Sequence, residues 1–128
     1  MEPKVTVGMC VKNCAATIRE TLESIFNQDF PHELMELIVV DGNSKDETLS
    51  TITDYLREKK TEMQIRIFHE NKGLGYARQI VVENARGDYI VWVDGDMVLS
   101  KDYIKKQVEF MEQNPRVGIA KGKLPLKS

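Results

Sequence analysis

At 128 residues, 41% apolar and 30% charged, the chain is long enough for one domain and has the composition of a soluble globular protein. A net charge of −2 excludes the basic footprint of a nucleic-acid binder, and no apolar run approaches the roughly 20 residues of a membrane helix. No signal peptide opens the chain, so residues 1–128 are expected to form a single cytoplasmic domain, membrane-associated only through sequence outside this chain.

Strand and helix patterns alternate without linker or repeat. Val5 to Val11 reads as a first strand, and Ile18, Leu22, Ile25 and Phe26 then mark one apolar helical face. Pro31 falls in the loop beyond. Leu37 to Val40 is a buried strand ending at Asp41. Ser44-Lys45-Asp46-Glu47 has the form of a capping box, which predicts a helix start there, with Leu49, Ile52 and Leu56 inward. Met63 to Phe68 alternates as a third strand. Gly73 to Ala85 reads as a helix with Leu74, Ala77 and Val81 inward, ended by Gly87. Tyr89 to Val93 is the fourth strand, with Tyr89 and Trp92 expected in the core. Ser100 caps a helix carrying Ile104, Val108 and Met111, Pro115 lies just beyond it, and Val117 to Ala120 opens a fifth strand. This alternation predicts an α/β fold, a Rossmann-like three-layer arrangement with a mostly parallel sheet and helices on both faces.

Cys10 and Cys14 are the only cysteines, and His32 and His69 are remote from them in sequence. A zinc site normally gathers four clustered ligands, so two buried reduced thiols are expected. The histidines are expected on the surface.

Chemistry concentrates where strands end. Asp94-Gly95-Asp96 follows the fourth strand, at the edge where open parallel sheets bind ligands. Two carboxylates flanking a glycine can hold a hard divalent cation and leave positions for phosphate; they can also simply cap a strand. Asp41 reaches the same edge, either as a turn cap or as an acceptor for a ribose hydroxyl or base N–H. Asn71-Lys72-Gly73-Leu74-Gly75 precedes a helix and, with Lys72 and Arg78, could meet an anion or be an ordinary surface turn. It has neither the full P-loop pattern nor the dinucleotide fingerprint.

Four segments together resemble family-2 glycosyltransferases of the GT-A fold. They are Val5 to Asn13; Leu37 to Thr48 with its Asp41-Gly42-Asn43-Ser44 turn; Asn71-Lys72-Gly73 with Ala77-Arg78-Gln79; and Ala85-Arg86-Gly87-Asp88-Tyr89-Ile90 leading to Asp94-Gly95-Asp96. The resemblance implies metal-dependent, inverting transfer from a nucleoside-diphosphate sugar to an acceptor hydroxyl on a glycan, lipid or other molecule, with Mg²⁺ or Mn²⁺. It places Asp96 on the metal, Asp94 on the ribose or the metal's water shell, Gly95 between them, and Asp41 facing the nucleoside. The backbone at Cys10 and Val11 lies beneath the base, and Lys72 and Arg78 reach base or phosphate. Gly42, Lys12 and Met9 stand where the family often has Asp, Tyr and Pro.

Catalytic domains of that family run well beyond this length. No residue here matches the general base, so the chain is expected to be the donor-binding half of a GT-A domain, with an open sheet edge that favours a homodimer. Two alternatives remain from sequence: a non-catalytic nucleotide-binding or scaffolding module, and a haloacid-dehalogenase-type phosphohydrolase with Asp94 as nucleophile and Asp96 as acid/base.

Overall fold

A computed structural model describes residues 2–114. Four strands, β1 (Val5–Val11), β2 (Met35–Asp41), β3 (Gln64–His69) and β4 (Tyr89–Trp92), form one sheet in the order β3-β2-β1-β4. Every pairing is parallel: Val5 stands beside Met35 and Tyr89, and Glu36 beside Gln64. All carboxyl ends therefore share one edge. The expected fifth strand at Val117 to Ala120 and the loop at Pro115 lie outside the described residues.

The layers follow from the two-residue side-chain period of the strands. Val5, Val7, Met9 and Val11 point to one face, where α1 (Ile18–Phe26), α2 (Thr48–Glu58) and α4 (Tyr103–Gln113) cover the larger core. Ile38, Val40 and Ile90 point to the other, where α3 (Leu74–Asn84) lays Ala77 and Val81 against β1 and β2. The predicted inward faces of α1 and α4 hold for Ile18, Leu22, Ile25, Ile104, Val108 and Met111, all buried, while Phe26 is only half-buried against the same core.

Several boundaries differ from expectation, each for a local reason. Ser44 and Glu47 form no capping box. The Ser44 hydroxyl donates to Asp41 Oδ1 at 2.7 Å, and α2 begins at Thr48, whose N–H donates to Asp46 Oδ1 at 3.0 Å. In α2, Thr48, Ile52 and Tyr55 are buried, while Leu49 and Leu56 are only half-buried. Leu74, expected inward, is 56% exposed. The third strand runs one residue later than predicted, over Gln64–His69. Gly87 does not end α3, which stops at Asn84; a Cβ on Gly87 would lie 2.7 Å from the Val5 carbonyl carbon and Thr6 nitrogen, so the glycine serves close approach to β1. Tyr89 and Trp92 are half-buried, not fully in the core.

His32 is half-buried, not a free surface group: Nε2 donates to the Phe26 carbonyl at 3.1 Å and Nδ1 lies 2.8 Å from the Thr61 hydroxyl. The two cysteines are free, and both are half-buried, not fully buried as expected.

Candidate active site at the carboxyl edge of the sheet

Side chains lace the strand ends together. Asn13 and Asn43 adopt left-handed backbone (φ 51° and 62°), a conformation asparagine tolerates better than most residues. Asn13 N–H donates to Ser44 Oγ at 2.9 Å, and its side-chain oxygen accepts from Lys45 N–H at 2.7 Å. The next two amides also cross between loops, Cys14 N–H to Thr48 Oγ1 at 2.8 Å and Ala15 N–H to Asp46 Oδ2 at 3.2 Å. The β1 and β2 loops are thus one unit.

Asp41 sits beneath that unit, 3% exposed, with both carboxylate oxygens accepting from Ser44. This is the turn-cap arrangement, and the His69 Nδ1 stands 4.0 Å from Oδ2.

Asp94 and Asp96 are both exposed, and the ion pairs among the described residues involve neither. The turn carrying them is fixed from below. Gly95 is buried, and its carbonyl accepts from the hydroxyls of Thr17 (2.8 Å) and Thr21 (3.0 Å) on the first turn of α1 and the residue before it. A Cβ on Gly95 would stand 2.5 Å from Cys14 Sγ, so proximity, not φ, disfavours a side chain there.

The third loop is differently built. Glu70 Oε1 accepts from the N–H groups of Lys72 (2.6 Å) and Gly73 (2.8 Å), so two amides that an anion could have used are already bonded. Gly73 takes φ 116° ahead of α3. Lys72 Nζ lies 4.9 Å from the Tyr76 ring centre, and the Arg78 guanidinium lies 5.8 Å from that of Trp92.

Between β1, β2 and α3 lies a pocket of about 240 Å³. Cys10, Val40 and Ala77 give it apolar walls; Val11, Lys12, Asn43, Glu70 and Asn71 bring polar and backbone groups. Burial pushes the Cys10 thiol up to about 11, Arg78 pulls against that rise, and Glu70 and Asp94 add to it. Four of the residues singled out from sequence or lining the pocket are therefore electrostatic neighbours. Burial likewise raises Cys14, outweighing the Thr48 hydroxyl. Neither thiol is primed as a nucleophile.

The comparisons with known proteins supply the family. A family profile described as "Glycosyl transferase family 2" matches residues 6–122. The chain belongs to glycosyl transferase family 2. An uncharacterized glycosyltransferase of Haemophilus influenzae is 31% identical over 112 residues, 88% of this chain and 44% of that protein. The chain spans 44%, 18% and 42% of the length of three curated relatives it matches. The mannosyltransferase PcManGT from Pyrobaculum calidifontis, solved with GDP-Man and Mn²⁺, superimposes with a TM-score of 0.80 at 27% identity, over 87% of this chain and 33% of that one. Staphylococcus aureus TarS 1-349 in complex with UDP-GlcNAc gives 0.74 at 28%, over 86% and 31%. The fold of this family 2 chain is thus GT-A, and the phosphohydrolase alternative has no support.

Thr17, Thr21 and Glu70 were not singled out from sequence. Thr17 and Thr21 are spaced i, i+4 on one helix face, a signal that was there to be read. Glu70 gave none, because its role depends on where β3 ends.

Proposed function

We propose that this chain binds the donor of a glycosyltransferase that moves a sugar from a nucleoside diphosphate to an acceptor hydroxyl, with inversion. What carries this is the shared edge: in a family 2 chain, the pocket opens at the ends of β1 and β2 while two exposed carboxylates stand at the end of β4, the other neighbour of β1. The pocket is smaller than the roughly 300–1,000 Å³ of whole-ligand sites, which suits it to a base, with ribose and diphosphate running outward toward Asp94. UDP and GDP are the nucleotides to test, since solved neighbours hold UDP-GlcNAc and GDP-Man.

Asp96, with Asp94, fits a Mg²⁺ or Mn²⁺ ion. Both offer hard oxygen donors from an exposed turn, and two carboxylates alone would leave coordination positions for diphosphate oxygens. When bound, the cation supplies Lewis-acid stabilisation of the departing diphosphate. Asp94 orients the ribose or the ion's water shell. The Cys10–Val11 backbone supports the base, Asp41 holds the β2 turn beneath the nucleoside through Ser44, and Lys72 and Arg78 supply positive charge. Residues 1–128 act as one donor-binding domain. No described residue is assigned as general base, and the acceptor is a glycan, lipid or other hydroxyl.

Calorimetry with UDP and GDP, with and without Mn²⁺, tests this. Asp96→Ala is expected to weaken the Mn²⁺-dependent binding about tenfold or more, ~1.4 kcal/mol. Metal-dependent binding unchanged in that variant would remove Asp96 from the site.

Two free cysteines suit the reducing cytoplasm, which we propose as the compartment. No helix among the described residues is long and apolar enough to cross a membrane. The outer edge of β4 is unpaired among those residues, and we propose that it mediates a homodimer; light scattering showing a monomer at high concentration would refute that.

A further inference from the structure

Given the donor pocket proposed above, on which this rests, we propose that Glu70 reads the nucleobase, its second carboxylate oxygen accepting a hydrogen bond from a ring N–H and so selecting uracil or guanine over cytosine or adenine. Glu70 follows β3 directly, and its own N–H donates to the Asp41 carbonyl at 3.0 Å, so its backbone continues the sheet ladder. Oε1 is held by the Lys72 and Gly73 amides, which fixes the side chain in the pocket's lining. Oε2 takes no part in those bonds. It lies 3.0 Å from where a Cβ on Gly42 would stand, so the missing side chain at position 42 makes room for it.

The other acid at these strand ends is differently placed. Asp41 is buried, bonded at both oxygens to Ser44, and does not line the pocket. Among the pocket's polar side chains, Lys12 can only donate, and Asn43 and Asn71 carry amides that turn either way. Glu70 is the one that can only accept. Uracil presents a ring N–H at N3 and guanine one at N1. Cytosine N3 and adenine N1 instead carry lone pairs, which would face a carboxylate oxygen without a proton between them. Glu70 is half-exposed, so the discrimination is the loss of one charge-assisted hydrogen bond together with acceptor–acceptor repulsion.

Glu70→Gln separates base reading from loop structure. The variant's amide oxygen can keep the Lys72 and Gly73 N–H bonds, which leaves the NH₂ facing the pocket as a donor. Calorimetry with UDP, GDP, CDP and ADP in Mn²⁺ is the experiment. The wild type is expected to bind UDP or GDP about tenfold or more tighter than CDP and ADP. Glu70→Gln is expected to abolish that preference and to gain affinity for CDP. Equal binding of all four by the wild type overturns the role of Glu70 and leaves the donor pocket standing. The same ranking in wild type and variant does likewise. Binding of none overturns the donor pocket and Glu70 with it. The wild-type ranking is informative without any variant, so a misfolded Glu70→Gln protein does not blunt the test.

Discussion

Glu36→Ala is expected to cost the fold about 3 kcal/mol, read as a lower urea midpoint at unchanged slope. Glu36 lies on the α3 face of β2, at the end of the sheet opposite the donor pocket, with no solvent exposure. Its Oε2 accepts from the Thr6 hydroxyl and from the Arg86 N–H, both at 2.6 Å, and Oε1 accepts from Arg66 Nη2 at 3.0 Å. Thr6 Oγ1 in turn accepts from Gly87 N–H at 3.0 Å, and Arg66 also donates to the Asn84 carbonyl at 2.6 Å. One carboxylate therefore joins three strands to the turn that leads into β4. Removing it orphans the Arg86 amide and leaves Arg66 without its counter-charge. Arg66 keeps 28% of its side-chain surface in water and retains the Asn84 carbonyl, which places the cost at the low end of the 3–5 kcal/mol typical of a broken buried pair. A midpoint shift worth less than about 0.5 kcal/mol would mean the network is ornamental.

The same carboxylate gives the stability a definite pH dependence. Burial pushes its pKa up, but the Arg86 amide, the Thr6 hydroxyl and the Arg66 guanidinium together outweigh that, and the value is held below the ordinary one. A group with a depressed folded pKa stabilises fully above its unfolded value, near 4.3 for glutamate, and loses that contribution as the pH falls through the folded value. In this window the unfolded chain binds more protons, so stability rises with pH. The difference between wild type and Glu36→Ala should accordingly be full at neutral pH and shrink below about pH 4. A difference that grew on acidification would contradict the charge-assisted network.

The alternation of elements, the inward faces of α1 and α4, and the Asp-Gly-Asp turn at a strand end were legible because each depends on residues adjacent in sequence or on one short period. Glu36 was not. A lone glutamate at the head of Leu37-Ile38-Val39-Val40 looks like the solvated start of a strand, and its partners lie 30 and 50 residues away. The Ser44–Glu47 pattern misled for the same reason. Its serine is claimed by Asp41 and by Asn13 from another loop, contacts that outweigh a local cap. At the pocket, sequence drew attention to the acid that ends β2. The acid that lines the cavity instead follows β3, since Asp41 turns inward to its own loop while Glu70 bridges outward to the loop before α3.

Gly95→Ala is expected to destabilise the protein by about 2 kcal/mol and, if Asp94 and Asp96 hold the donor as proposed, to weaken Mn²⁺–nucleotide binding about tenfold or more. The added methyl would stand 2.5 Å from Cys14 Sγ, 3.3 Å from Val11 Cγ1 and 3.4 Å from Cys14 Cβ. The turn has little freedom to retreat, because its carbonyl is held by Thr17 and Thr21, and the Cys14 backbone is held by Thr48. The thiol can swing to another rotamer, which keeps the cost from rising further. Cys14→Ala removes the nearest atom and leaves only the two looser contacts, so it should restore most of what Gly95→Ala loses. In a double-mutant cycle, Cys14→Ala alone should cost about 1 kcal/mol, and the double variant should be more stable than the sum of the singles by about 1 kcal/mol or more. Nucleotide affinity should recover in parallel, since Asp94 and Asp96 move with the turn. Additivity within about 0.5 kcal/mol would show that the thiol contact does not dictate the glycine.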